Sequence, residues 1–191
     1  MEKLKDKDIR MVLLQLLLEK YSEDPETKIV HELGILHGQS RIDVAVINGI
    51  LHGFEIKSES DNLLRLPSQM EDYNKVFNRM TIVTQRIFLE KVRRIIPKWW
   101  GIWIVTQSKG NLTIREIRKG RYNSHVDPES LSHLLWKDEA ISILKDKGLH
   151  KGYLSKPRTI LYKRLASQLE IKELQFRINE QLKQREGWKV L

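Results

Sequence analysis

The stretch RIDVAVINGILHGFEIKSESD, residues 41 to 61, holds two apolar runs joined by Asn48-Gly49, a strong hairpin signal. Each run carries charge where a buried strand should carry none. Asp43 sits inside the first, Glu55 and Lys57 inside the second. An unpartnered buried charge costs several kcal/mol, on the order of a domain's whole stability margin. A plain two-residue turn would set Asp43 opposite Phe54 and cross the apolar and polar faces. One more residue in the loop sorts them. Val44 then meets Phe54, Val46 meets His52 and Ile42 meets Ile56 on one face. Ala45 meets Gly53 and Asp43 meets Glu55 on the other, because a one-residue slip flips every side chain. A bulge at Gly53 is another route to the same parity. Lys57 follows on the Glu55 face. Two facing carboxylates repel unless a cation lies between them. A hard divalent metal answers this; a buried ion pair to Lys57 is the structural alternative.

The remaining pattern interleaves strands with helices. A helix is expected over residues 4–20, strands over 41–47 and 51–57, and a helix with Leu66, Met70, Tyr73 and Phe77 on one face. A strand at 80–85, a helix at 87–95, a strand at 101–106 and an edge strand in NLTIREIR follow. From Pro128 the pattern is helical. The fold class is α/β, a mixed β-sheet flanked by helices, with a helical C-terminal region. The expected division is a core at 1–127 and a basic helical region at 128–191.

Charge sharpens that division. Residues 145–191 hold 12 Lys and Arg against 5 Asp and Glu, whereas residues 1–144 hold 22 against 20. A near-neutral body with a basic end points to a polyanionic partner, nucleic acid before others. The bland alternative is a solvated helix pair. With no cysteine, thiolate metal sites and disulfides are excluded, so any metal has oxygen or imidazole ligands. MEKLKDKDIR is too charged for a secretory signal, and MVLLQLLL and WWGIWIV are too short to span a bilayer. A cytoplasmic location with no membrane partner is the expectation.

Asp43, then Glu55-Ile56-Lys57, then Gln69-Met-Glu-Asp-Tyr73 on the next helix resembles the PD-(D/E)XK nuclease superfamily in its RecB-like branch. The proline that usually precedes the first acid is replaced by Ile42. The wider run from Glu32 to Pro67, together with PKWWG, is similar to an uncharacterised bacterial and phage family usually placed there. The resemblance implies a restriction-endonuclease-like sheet and hydrolysis of phosphodiester bonds, with DNA as the expected substrate. It implies Mg2+ or Mn2+ held by Asp43, Glu55, the Ile56 carbonyl and Glu32. Lys57 would position water or stabilise charge, and Gln69 would orient Lys57 or touch nucleic acid. Tyr73 fits that face or simple core packing. The alternative is a protein that keeps the fold and binds nucleic acid or a partner without cutting. If the two carboxylates simply repel, Glu55→Gln should leave stability unchanged or raise it.

The C-terminal helix, glycine-containing loop and helix resemble the SAP motif that binds DNA. Lys156 and Arg158 would flank a helix N-terminus suited to phosphate, with Lys163 and Arg164 beyond them. A hairpin that caps the sheet or pairs two copies into a homodimer is the alternative. His31, His37 and His52 are read as polar packing, Trp99, Trp100 and Trp103 as core and rim, and Ser58, Glu59 and Asp61 as a solvated loop.

Overall fold

The computed structural model describes residues 4–58, 63–108 and 110–186. One six-stranded mixed sheet runs β1-β2-β3-β4-β5-β6 in chain order. Its strands are β1 Lys28–Ile35, β2 Ser40–Asn48, β3 Ile50–Lys57, β4 Arg79–Gln85, β5 Gly101–Ser108 and β6 Asn111–Arg118. The first three form an antiparallel meander, β3, β4 and β5 run parallel, and β6 returns antiparallel. Helix α1 Asp6–Lys20 precedes the sheet, and α2 Leu66–Val76 and α3 Leu89–Ile95 make the two parallel crossovers. Four helices follow: α4 Pro128–Ser132, α5 Lys137–Asp146, α6 Arg158–Gln168 and α7 Ile171–Gln184. The α/β class is as expected.

The Asn48-Gly49 loop sets the hairpin as face sorting requires. Val44 pairs with Phe54, Val46 with His52, and Ile47 with Leu51 across a three-residue tip whose Gly49 takes φ +64°. Gly53 pairs regularly with Ala45, so no bulge is needed there. A Cβ on Gly53 would lie 2.6 Å from the Met80 sulfur and 3.1 Å from Phe77. Glycine is needed at that position for close packing, not for a bend.

Strands β3 and β4 are buried along nearly their whole length because both faces of the sheet are covered. Among the described helices, α1 covers one face, burying Ile9, Leu13, Leu14 and Leu17 against Val44, Val46, Phe54, Ile56, Val83 and Trp103. At about 1.5–3 kcal/mol per buried aliphatic side chain, that stripe contributes about 6–12 kcal/mol. Packing of this face, not propensity, docks α1. Trp99, Trp100 and Trp103 take structural places. Trp100 is fully buried and donates its indole N–H to Asn74 at 2.9 Å, Trp103 is buried, and Trp99 packs against the core.

The opposite face carries α2, α3 and the C-terminal helices. Leu131, Leu144, Leu161, Leu165, Leu174 and Leu182 belong to the same hydrophobic cluster as Ile42, Leu51, Tyr73 and Ile82. Residue 128 therefore marks where the C-terminal helices begin, and the core runs on through it. Polar ties reinforce the junction. The Lys28 ammonium donates to the carbonyls of Lys183 and Arg185 at 2.8 and 2.7 Å, closing the C-terminus of α7. Arg185 forks onto Glu139 and donates to the Leu134 carbonyl.

Strand β1 falls between the helix expected over residues 4–20 and the strand expected over 41–47, where the sequence pattern predicts no strand. Its alternation is broken at Glu32, which takes φ +50°, so the period-two signal is lost in the sequence. Ser58, expected in a solvated loop, is fully buried; Glu59 and Asp61 lie outside the described residues. No described helix is long and apolar enough to cross a membrane.

Candidate active site

The site forms where β1, β2 and β3 stop alternating regularly. Val30 and Ala45 face the larger cluster, and so do Leu33 and Ile42. Both strands therefore switch sides across the Glu32 and Asp43 position, where the β1–β2 pairing is interrupted before resuming at Leu33 and Ile42. The β2–β3 pairing ends at Val44 and Phe54. Beyond it the Asp43 carboxylate accepts the Ile56 N–H at 2.8 Å, in place of a backbone partner. This corrects the expectation that Asp43 and Ile42 stay in the ladder opposite Glu55 and Ile56. The left-handed residue at Glu32 is the physical reason, since it reverses the side on which the following residues point.

Asp43 gives its other oxygen to Arg10 of α1 at 2.8 Å. The same guanidinium lies 3.2 Å from Asp6 and 3.8 Å from Glu32. Arg10 thus serves as the cation of an acidic group that includes Asp43. Sequence reasoning missed it, although its signal was present. Arg10 lies three, four and seven residues before Leu13, Leu14 and Leu17, along the buried stripe of an amphipathic helix.

Glu55, Lys57, Gln69 and Tyr73 form a closed network between β3 and α2. The Lys57 ammonium is 2.7 Å from Glu55 and donates to Gln69 at 3.1 Å. The Gln69 amide donates to the Tyr73 hydroxyl at 3.3 Å, and that hydroxyl is 2.8 Å from both Glu55 and the Arg41 carbonyl. Gln69 and Tyr73 share a face because they lie one helical turn apart. Tyr73 has one proton for two acceptors, and the Arg41 carbonyl can only accept. Glu55 accepts from both Lys57 and Tyr73, and the single Tyr73 proton is shared with the Arg41 carbonyl. Burial raises the proton affinity of Glu55, against the opposing pull of Lys57, Tyr73 and Gln69.

Asp43 is also pushed up, to about 7, first by burial and then by the charge of Glu55, with the Ile56 amide and Arg10 pulling back. The two carboxylates thus sense one another. Oxygen donors of this kind fit a hard divalent ion. Among the described residues no group of three or more His, Asp or Glu side chains is placed to hold a metal ion, whereas magnesium keeps several waters and needs only one or two carboxylates. Glu32 faces Arg10 and Arg41, each at 3.8 Å, and its place is beside those guanidinia.

Of the four basic residues expected to bind nucleic acid, Lys156, Arg158 and Lys163 are exposed and Arg164 is half-buried, its guanidinium 4.9 Å from the Tyr153 ring. Arg158 lines a cleft that also contains Glu32 and Arg41. His52 is structural: it bonds Thr81 at 2.9 Å and stacks on Phe54, and burial lowers its pKa to about 3.

The family described as Bacteriophage P4 protein cII matches residues 1–187. Protein cII of Enterobacteria phage P4 is 28% identical over 148 residues, covering 78% of this chain and 56% of that protein. The chain thus spans about half the length of the curated relative it matches. Among solved structures, a protein of unknown function from Silicibacter pomeroyi aligns over 81% of this chain and 99% of its own, with TM-score 0.44 at 15% identity.

Proposed function

This chain belongs to the Bacteriophage P4 protein cII family, and we propose that it is a metal-dependent nuclease of PD-(D/E)XK type that hydrolyses phosphodiester bonds, with DNA as its substrate. The observation that carries this reading is the closed Glu55–Lys57–Gln69–Tyr73 network beside Asp43. Asp43, Glu55 and the Ile56 carbonyl would hold a magnesium or manganese ion, which would supply charge neutralisation at phosphate and a hydroxide at neutral pH. Lys57 orients the attacking water or stabilises the charge that develops. Gln69 holds the Lys57 ammonium in place. Tyr73 fixes Glu55 against the Arg41 carbonyl, which ties β3 to β2 where their ladder has ended. A cytoplasmic location belongs to the same reading.

A second reading is favoured by one specific observation. Each carboxylate already has a protein cation, Arg10 at 2.8 Å from Asp43 and Lys57 at 2.7 Å from Glu55. That arrangement suits a protein that retains the fold and binds nucleic acid without cutting it. Incubation with labelled single-stranded, duplex and branched DNA and RNA, with and without manganese, separates the two. Manganese-dependent products that vanish in Glu55→Gln support the nuclease. Binding without products under any metal supports the second reading.

In both readings the exposed lysines of the C-terminal helices touch phosphate. Lys156→Ala with Lys163→Ala removes two exposed charges and leaves the core intact. The slope of log affinity against log salt on duplex DNA should flatten by about 2, nearly one for each phosphate no longer neutralised. An unchanged slope takes these two lysines out of the interface. Truncation is no substitute, because residues 131–182 contribute to the common core.

A further inference from the structure

Beside the candidate site lies a cleft of about 530 Å³ that shares Glu32 and Arg41 with it. The turn after β1 shapes one wall. Leu36, His37 and Gly38 take φ of +48°, +61° and +86° in succession. Bulky residues rarely adopt this conformation, and runs of it cluster at ligand sites. The turn brings the His37 ring to 4.2 Å from that of His133. Trp136 forms the opposite wall. The Arg185 guanidinium lies 4.2 Å from the Trp136 ring and is itself locked by Glu139, yet Trp136 is 55% exposed. The mouth carries Arg158, which no carboxylate engages among the described residues, and Arg41, whose side chain is 64% exposed.

We propose that this cleft is a subsite for one unpaired nucleotide, its base stacked on Trp136 and its phosphate held by Arg41 and Arg158. The assignment rests on the nucleic-acid reading above and specifies which form of nucleic acid is taken. The volume lies within the range of small-molecule sites. A rigid, half-exposed indole backed by a guanidinium is a stacking platform that accepts any base. Guanidinia on the rim supply the planar donors that suit phosphate. A base stacked and paired within a duplex cannot also lie against a ring inside a cleft. The preferred ligand is therefore a single strand, or a strand end frayed from its partner.

The test is equilibrium binding in chelator, so that no cleavage intervenes. The probes are a labelled single-stranded DNA decamer of mixed sequence, the same decamer as duplex, and adenosine 5′-monophosphate. Wild type should prefer the single strand. Trp136→Ala should weaken single-strand binding about tenfold without changing its salt slope, and Trp136→Phe should restore most of the loss. Arg158→Ala should flatten the single-strand salt slope by about 0.7. The Trp136 backbone N–H, not its ring, donates to Glu139 at 2.7 Å, so the α5 cap survives these changes. Melting temperatures within a few degrees of wild type confirm folding.

Equal losses on duplex and single strand, or single-strand binding by Trp136→Ala that matches wild type, would overturn the subsite. Monophosphate binding as tight as the decamer would overturn the strand assignment in favour of a free nucleotide. Failure of the nuclease reading looks different, because the binding pattern would persist in a protein that never cuts. A wild type that cuts, with a Trp136→Ala variant that cuts single strands unimpaired, removes the subsite and leaves the nuclease.

Discussion

Lys57→Ala should melt about 10 °C below wild type and should leave nucleic acid uncut under any divalent metal. Lys57 and Glu55 are 7% and 2% exposed and 2.7 Å apart. Removing one partner of such a pair typically costs about 3–5 kcal/mol, because the other charge is left buried and uncompensated. For a chain of this size each kcal/mol lowers the melting temperature by about 2–4 °C. Glu55→Gln should lose less, since the amide keeps the shape and its oxygen can still accept from Lys57 or Tyr73. It should not be stabilised, as simple repulsion between carboxylates would imply, because it removes the counter-ion of Lys57. The double variant Glu55→Gln, Lys57→Met should recover most of the stability, as apolar replacements of buried pairs commonly do. It should recover no cleavage. A Lys57→Ala protein that melts like wild type removes the ion pair from the account. A double variant that still cuts removes these residues from the chemistry.

That reversal for Glu55→Gln shows what the sequence carried and what it hid. The hairpin register was legible because Asn48-Gly49 marks the turn and only one parity sorts Val44, Val46 and Phe54 onto one face. Gln69 and Tyr73 were legible as a pair through helical spacing. The burial of Trp100 and Trp103 followed from their place at a strand start. Strand β1 was hidden because Glu32 breaks the alternation by which strands are recognised. The partners of Asp43 were hidden for another reason. Arg10 lies 33 residues away on a helix, and no local period states which face of the sheet that helix will cover. The C-terminal helices show the same limit. Leu161, Leu165 and Leu174 announce an apolar stripe, but a stripe does not say that its partner is the sheet that bears Leu51 and Ile82. The cleft draws on residues 31–41, 133–136, 158 and 185, so only the folded chain assembles it.

Without divalent ions the protein should lose stability as pH rises from about 4 to 7, the reverse of ordinary acid denaturation. Asp43 binds its proton in the folded state up to about pH 7, whereas its free value is 3.8. Across that window the folded chain holds more protons than the unfolded one, so the unfolding free energy falls with pH. The stabilisation is complete below the free value and is gone once the pH has passed about 7. One proton contributes at most about 1.4 kcal/mol per pH unit, or about 3–5 °C of melting temperature. Glu55, raised in the same direction, adds to the slope. Asp43→Asn should flatten the Asp43 part while Arg10 keeps Asp6 and Glu32 as partners. Manganese should act oppositely, since a cation binds the deprotonated pair. At a hundredfold excess over its dissociation constant it should restore about 2.7 kcal/mol at pH 7.5 and much less at pH 5. Melting curves between pH 4 and 8, with chelator and with manganese, decide the matter. A flat profile in chelator, the same in Asp43→Asn, would mean that Arg10 outweighs burial and keeps Asp43 charged throughout. A falling profile that manganese leaves untouched would mean that the carboxylates repel but bind no ion, which is the behaviour expected of a nuclease fold that binds nucleic acid and does not cut it.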